Sequence, residues 1–414
     1  FEQVDREGLN GRWVDYAVAL NSEAPRLQLA EAPKDLNALR PVWSVQKVQL
    51  EEPETTNVPI VNLDQLRMSD RYRYGTKAAN LGELSHLLQQ SSGRILGFYR
   101  VPRPPRANLL PYLAKALGVP EHEALDRGPE LGRAASRFLR DHFRIPRGIA
   151  IPFSVQQEFL ESSPRIQQTI GKLKMALELN AREIDALCLS LQHLIRSTRM
   201  PEKIRNRIDE QIASHLSGVS SFVVRSSSNA EDLENFSAAG IYESINHCAT
   251  AEKIFESIKE VWASLLSARS VRLRQQVGIS LDASYMGVIV QEEMASRFGG
   301  VLVTTNPVEK ASDFRNVYIN VSPKSAVQVV GGTELPIQYL YNTVEGGGRT
   351  LSVGDAGEDL DDDSKALLQK LAFGGRLLQS HFSPDYRFSQ PVDIEWLADE
   401  QGLVLLQLRP YAKG

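Results

Sequence analysis

DIEWLADEQGLVLLQLRP, residues 393–410, is the stretch on which the reading of this chain turns. Two apolar runs flank ADEQG (398–402), a polar segment ending in glycine that suits a hairpin loop. Side chains along a strand alternate faces, so Asp393 and Glu395 share one face while Val392, Ile394 and Trp396 share the other. Gln407 and Arg409 likewise share a face of the following strand. Pairing Leu397 with Leu403 predicts Asp393 opposite Gln407, on the same face as Glu395. Two carboxylates, an amide and a guanidinium then crowd one sheet surface. Hard oxygen donors of this kind suit Mg2+, which commonly takes one or two carboxylates together with substrate phosphates. Arg409 is able to hold phosphate in a bidentate way. The plainer alternative is a solvated polar face on which the acids pair with the arginine, an arrangement worth little energetically.

Upstream of the hairpin a helix is expected over about 363–381. Strand-like segments MGVIVQEEM, GGVLVTT, NVYINVS and AVQVV follow Gly278. Before them SSFVVRSS, near 220, reads as a compact strand, followed by a loop and a helix carrying Ile254, Ile258, Val261 and Leu265. From Ser154 to Leu216 the period is helical. Ile166, Ile170, Leu173 and Leu177 form one stripe, Ile184, Leu187, Leu191 and Leu194 a second, and Ile204, Ile208, Ile212 and Leu216 a third. These are core-facing stripes that need no cofactor to explain them. A helical block followed by a mixed sheet with helices predicts an α+β, or mixed α/β, architecture.

The N-terminal residues 1–60 differ from the rest. WVDYAVAL from Trp13 and PVWSVQKVQL from Pro41 are separated by Pro- and Glu-rich stretches, and read as one or two strands and a linker, the tail of an upstream domain. From Tyr74, YGTKAANLGELSHLL is a turn running into a helix whose Leu81, Leu84, Leu87 and Leu88 line one face. Residues 91–143 interrupt this pattern. VPRPPR opposes regular structure, because proline lacks the N–H and biases its predecessor towards extended geometry. Short helices are expected around 109–117 and 130–142, in a solvated insertion or, alternatively, a partner-docking element. The resulting division is 1–60, then a first lobe over 61–218 containing the insertion and the helical block, then 219–414 with the phosphate and metal site.

Composition bounds the function. The 414 residues are 42% hydrophobic and 24% charged, ordinary for a soluble globular chain. A net charge of −4 offers no attraction to nucleic acid or to an anionic membrane. No apolar run reaches the roughly 18 residues that a membrane span needs. No leader follows Phe1, and the chain reads as a piece of something longer. Cys188 and Cys248 are too far apart in sequence for a zinc cluster, and read as small buried apolar residues compatible with a reducing cytoplasm.

Two further segments are able to carry chemistry. In FVVRSSSNAEDLENFSAAGIYES (222–244) a buried strand delivers Arg225 to its end. A loop of serines, small residues and Gly240 follows, able to approach a polyphosphate closely with backbone N–H donors. The alternative is a plain polar loop with Arg225 paired to Glu231 or Asp232. In GTKAANLGEL (75–84) Lys77 stands at a helix start, where backbone donors and the dipole favour anions. A lysine there is commonplace, and the segment does not match the GxxxxGK[ST] phosphate loop.

In order and content, GTKAANLGEL, IPRGIAIP (145–152), VVRSSSNAEDLENFSAAGIYES (223–244), VIVQEEM (288–294), GVLVTTNP (300–307) and DIEW…LLQLRP (393–410) resemble the nucleotide-binding domain of phosphoenolpyruvate synthase, pyruvate phosphate dikinase and the starch (glucan) water dikinases. RSSSNAEDLENFSAAGIYES and TTNP are more similar to the starch enzymes. The resemblance implies an ATP-grasp fold, with ATP between two lobes. It implies that Lys77 and Arg225 contact phosphate, that Gln291 and Glu292 lie at the adenine-side hinge, and that Glu395 and Gln407 hold Mg2+. Asp393 would assist the metal pair, and Arg409 would contact the transferred phosphates. Transfer would rest mainly on positioning and charge neutralisation.

The sequence departs from that family in two places. The family passes phosphate to a histidine on a separate domain. None of the seven histidines here, among them His86, His193 and His247, stands in a matching context. The acceptor is therefore expected on an absent segment or another chain. In the starch enzymes the nucleotide domain is C-terminal, and an end just after LQLRP fits that order. Where the family carries Gly-Leu-Gly-Glu near the phosphates, this chain reads NVSPKSAVQVVGG from Asn320, with Lys324 in that place, which implies altered ATP geometry or lost catalysis. The expected function is a Mg-ATP-binding domain of a dikinase-type phosphotransferase, serving pyruvate or a glucan through a phosphohistidine. Alternatives are a direct ATP-dependent kinase of a small molecule and a degenerate nucleotide-binding or scaffold domain.

Overall fold

The computed structural model describes residues 14–17, 26–29, 50–90, 92–100, 109–120, 129–231, 242–308, 313–322, 335–383 and 390–411. They fall into two compact units, residues 1–46 and 47–414. In the first unit β1 (Val14–Ala17) pairs antiparallel with β2 (Arg26–Leu29), with Val14 opposite Leu29. The expected strand from Pro41 lies outside the described residues except for Leu50.

The second unit begins with β3 (Val61–Asn62), α1 (Arg71–Tyr74), α2 (Thr76–Gln89), α3 (Gly97–Arg100), α4 (Leu110–Ala116) and α5 (Pro129–His142). Strands β4 (Phe143–Arg144) and β5 (Gly148–Ile151) lead into a block of four helices, α6 (Phe153–Glu161), α7 (Pro164–Glu178), α8 (Ile184–Ser197) and α9 (Glu202–His215). There follow β6 (Phe222–Ser228), β7 (Ser244–Cys248), α10 (Ala251–Ser264) and α11 (Ala268–Gln276). The chain continues through β8 (Met286–Glu292), β9 (Phe298–Val303), β10 (Asn316–Ser322), β11 (Ile337–Asn342) and β12 (Gly348–Ser352). It closes with α12 (Asp362–Phe382), β13 (Val392–Asp399) and β14 (Gly402–Pro410). Several helix starts are fixed by side chains that accept an otherwise orphaned backbone N–H: Thr250 from Lys253, Ser267 from Ser270 and Asp361 from Ser364.

The fold is α+β, and the second unit holds two sheets. One has five strands in the order β3-β5-β8-β6-β7, the other seven in the order β12-β11-β10-β9-β13-β14-β4. Among the described residues all neighbours are antiparallel except β14 and β4. Two apolar cores form, one on each sheet, and Ala150 and Ile289 on the far face of the five-stranded sheet join the core of the seven-stranded one. Ile149, Ile151, Val224, Val288 and Val290 of the five-stranded sheet pack with Phe159, Ile166, Leu173, Leu191, Ile204 and Trp262 from the helical block and α10. Within the stripes, Ile170, Leu177, Leu187, Leu194 and Ile212 are half-buried at the margin, while Cys188 and Ile195 reach the centre. Each sheet takes strands from both sides of residue 218, so the segments 61–218 and 219–414 interleave.

The segment 91–143 is not a solvated insertion where it is described. Ile95, Leu96, Phe98, Tyr99, Leu109, Leu113, Leu131, Ala135 and Leu139 are buried in the core of the seven-stranded sheet, with Leu368, Leu371 and Leu377 of α12. Each large side chain gains roughly 1.5–3 kcal/mol from such burial. VPRPPR lies outside the described residues. Strands β11 and β12 were not anticipated: IQYLYN lacks clean alternation, and GRTLS is an exposed edge strand.

Candidate functional site

The site is built where β6 meets the start of α2 and the edge of the terminal hairpin. Gly75 opens α2 with φ +87°, and a Cβ there would stand 2.0 Å from the Ser227 carbonyl oxygen. Only glycine permits that turn and that approach. A glycine has no side chain to cap the helix, and the cap comes from elsewhere: the Ser227 hydroxyl accepts the Ala78 N–H at 3.0 Å. Gly287 on β8 serves the same contact, since a Cβ there would lie 2.5 Å from the Tyr74 carbonyl oxygen. Ser226, Ser227 and Ser228 are all fully buried.

This junction sets Lys77 at the second position of α2. Its Nζ lies 2.6 Å from Glu231 Oε1 and donates to Ser226 Oγ at 3.3 Å. The Glu231 carboxylate also accepts the Ser228 backbone N–H at 3.2 Å and the Ser226 hydroxyl at 3.4 Å. A cation at a helix N-terminus is opposed by the helix dipole, so the adjacent carboxylate offsets an unfavourable placement.

Arg225, one residue before Ser226, crosses to the other sheet. Its Nη1 donates to the Leu406 carbonyl at 2.7 Å, and its Nη2 to Glu395 Oε2 at 3.1 Å and Gln407 Oε1 at 3.3 Å. The hairpin register explains why those groups converge, and it corrects the expected one. Ala398, not Leu397, faces Leu403, and the two-residue turn is Glu400–Gln401. A bulge then leaves Leu406 outside the ladder, so that Glu395 faces Gln407 and Asp393 faces Arg409. The extra residue gives Leu406 a carbonyl outside regular pairing, which Arg225 takes. Arg409 donates to Asp393 Oδ2 from Nε at 3.0 Å and from Nη2 at 2.9 Å. Asn80 of α2 donates to the Leu408 carbonyl at 2.9 Å, tying the lysine-bearing helix to the same hairpin.

Lys77, Arg225, Glu395, Gln407, Asp393 and Arg409 are thus linked through β6, α2 and the hairpin. Gln291 and Glu292 sit elsewhere on β8. Gln291 faces Val223, two ladder positions from Arg225's partner Ile289, towards the opposite end of β6 from Ser228. The Gln291 side chain is buried and donates to the Pro146 carbonyl, while the Glu292 carboxylate receives the Arg147 backbone N–H at 2.8 Å. Both side chains fasten β8 to the segment before β5.

The alternative pairing of Arg225 with Glu231 is not what forms, because Lys77 takes Glu231. Ser226, Ser227, Glu231 and the Leu406 carbonyl were not anticipated as site groups. The serine run carried a signal, since three hydroxyls at the end of an apolar strand must find partners once buried. The bulge carried none. The loop with Asp232 and Gly240, and the segment with Lys324, lie outside the described residues. Of the histidines, His193 is exposed, His86 half-buried on α2, and His247 exposed beside Glu293.

The donor chemistry fits a hard cation. Glu395 and Gln407 turn two oxygens onto one cationic nitrogen of Arg225, the pairing a divalent ion takes when phosphates complete its shell. Among the described residues no group of three or more His, Cys, Asp or Glu side chains gathers to hold a metal. The groups this arrangement could offer a metal are the Glu395 carboxylate and the Gln407 amide oxygen.

The family model described as pyruvate phosphate dikinase, AMP/ATP-binding domain, matches residues 130–413. The chain is 26% identical over 291 residues to a rifampicin phosphotransferase of Streptomyces sp, covering 65% of this chain and 32% of that protein. It is 24% identical over 293 residues to a probable phosphoenolpyruvate synthase of Methanothermobacter thermautotrophicus, covering 64% and 41%. It is 25% identical over 314 residues to a probable phosphoenolpyruvate synthase of Archaeoglobus fulgidus, covering 69% and 39%. The chain spans well under half the length of these relatives. The likeness to starch enzymes has no counterpart among them. Lys77 lies upstream of the residues that the family model matches. No helix among the described residues is long and apolar enough to cross a membrane.

Proposed function

The chain belongs to the family of the pyruvate phosphate dikinase AMP/ATP-binding domain, and from that membership we propose that it is the Mg-ATP-binding module of a dikinase-type phosphotransferase. The observation that carries the reading is the convergence of Arg225, Glu395 and Gln407 from two sheets, with Lys77 bonded to Ser226, the residue after Arg225. Lys77 and Arg225 bind the phosphates. Gln291 and Glu292 stand at the adenine-side hinge, so the nucleotide runs along β6 towards Ser228. Glu395 and Gln407 hold Mg2+, Asp393 orients Arg409, and Arg409 meets the phosphates being transferred. The metal, when bound, supplies charge neutralisation between the phosphates. The protein's own contribution is to hold donors in place, because phosphoryl transfer asks little covalent chemistry of the scaffold.

The phosphate passes to a histidine on a segment beyond this chain or on another chain, as implied by the resemblance to the dikinases. The final acceptor is a small organic molecule, since the relatives are named for rifampicin and for phosphoenolpyruvate. Two free buried cysteines agree with a reducing, cytoplasmic setting.

Calorimetric titration of this chain with Mg-ATP tests the reading, alongside Lys77→Ala and Glu395→Gln. Micromolar binding is expected, weakened by Lys77→Ala. Glu395→Gln is expected to remove the gain in affinity that Mg2+ gives over ATP in chelator. Folded protein that binds no nucleotide would end the ATP reading and favour a scaffold. In the assembled enzyme, AMP is the expected nucleotide product, and ADP alone would favour direct transfer to the acceptor.

A further inference from the structure

We infer that Glu231 is a resting counter-ion for Lys77, which an incoming phosphate must displace. The inference rests on the reading of Lys77 as a phosphate contact, and it concerns a residue outside the metal and arginine cluster. The Lys77 side chain is only 12% exposed and that of Glu231 3%, and the ammonium and carboxylate meet at 2.6 Å. Glu231 is held from behind, because its second oxygen accepts the Ser228 N–H and the Ser226 hydroxyl bridges to its first. The carboxylate is therefore fixed, and Lys77 on its flexible stem is the partner able to move.

Two physical effects act in the same direction. An ammonium engaged with a fixed carboxylate must give up a charge-assisted hydrogen bond to face a phosphate, and such bonds are the stronger kind. A negative charge a few ångströms from an anion site also lowers the potential that draws polyphosphate in. Glu231 thus weakens nucleotide binding while keeping Lys77 ordered at a helix end that would otherwise repel it. A site that must release its spent nucleotide gains from a competitor that returns to the lysine when the phosphates leave.

The test is a double-mutant cycle on Mg-ATP affinity, measured calorimetrically with wild type, Glu231→Gln, Lys77→Met and the double variant. Thermal melts check that each is folded. Glutamine keeps an oxygen for the Ser228 N–H, so the loop anchor survives. Glu231→Gln is expected to bind Mg-ATP about tenfold tighter, the worth of one charge-assisted hydrogen bond. The gain is expected to vanish in the Lys77→Met background. Glu231→Asp, which keeps the charge but withdraws it by one methylene, is expected to tighten binding less, and it replaces the glutamine variant if that one fails to fold. Unchanged or weaker binding by Glu231→Gln, with Lys77→Met still defective, would overturn the inference and leave the ATP reading standing. Equal tightening in both backgrounds would also overturn it, because the effect would then be a general field and not displacement from Lys77. Loss of binding by none of the Lys77 variants would instead remove the reading beneath it.

Discussion

Arg225 and Glu395 join the two sheets: the guanidinium leaves β6 of the five-stranded sheet and stands 3.1 Å from a carboxylate on β13 of the seven-stranded one. Both side chains are largely buried, at 11% and 13% exposure. The same guanidinium reaches the Leu406 carbonyl, so one side chain registers the strand ends against the bulged hairpin. In this arrangement Arg225 occupies the oxygens proposed for the metal. On the proposed assignment, loading of the site would require Nη2 to turn from Glu395 and Gln407 towards phosphate, with the Leu406 contact keeping the arginine in reach.

Arg225→Lys is the sharpest substitution at this point. Lysine keeps the charge but loses the planar fork that serves Leu406 and Glu395 together. Mg-ATP affinity is expected to fall at least about tenfold, and urea unfolding to show a loss of about 1–3 kcal/mol, because a mostly buried carboxylate loses its hydrogen-bonded partner. Calorimetry and denaturation on the same preparation measure both. Wild-type affinity in this variant would remove Arg225 from the binding site.

What could be read in the sequence follows from which forces are local. Strand alternation put Asp393 with Glu395, and Gln407 with Arg409, on one surface of the hairpin, and those groups do face one another. The register did not follow, because the turn is one residue tighter than expected, with Ala398 facing Leu403, and a bulge at Leu406 shifts the pairing again beyond Trp396. Apolar stripes located the helical block, although their centres shift towards Cys188 and Ile195 where neighbouring helices press. Ser226 to Ser228 read as the start of a polar loop, whereas they are a buried strand end whose hydroxyls serve Lys77, Ala78 and Tyr285. Proline-rich composition suggested a solvated 91–143, but Phe98 and Tyr99 lie against α12, a contact no local pattern encodes.

Gly75→Ala tests whether the junction between β6 and α2 is as tight as its geometry demands. The new methyl meets the Ser227 carbonyl, and alanine must also adopt a positive φ. Strain and overpacking together are expected to cost about 2–4 kcal/mol. Mg-ATP binding is expected to weaken as well, because Lys77 lies two residues on. Gly171→Ala is the control: it stands exposed inside α7 with nothing within 4 Å of the added atom. That change is expected to stabilise by about 0.5–1 kcal/mol through helix propensity. Equal effects of the two substitutions in urea unfolding would contradict the close approach.

Glu83 supplies a pH-dependent link between α2 and α12. Its Oε1 lies 2.7 Å from His381 Nε2, the Met68 backbone N–H donates to its Oε2 at 3.3 Å, and His381 Nδ1 lies 2.8 Å from Ser92 Oγ. The hydrogen bond to His381 is the main cause holding the Glu83 carboxyl below the usual carboxylate range, with burial opposing it and the Met68 N–H assisting. A carboxyl depressed by folding stabilises the native state above its unfolded pKa, and that stability is lost as pH falls through its folded value. The melting temperature of Glu83→Gln is therefore expected to lie below wild type near pH 6, by an amount equivalent to about 1 kcal/mol. The gap is expected to close as the pH falls below the ordinary carboxylate range, where the wild-type carboxyl takes up its proton. Melts across that range decide the point. A gap of constant size would mean that glutamine disturbs the packing of α2 on α12 and that the charge on Glu83 contributes nothing.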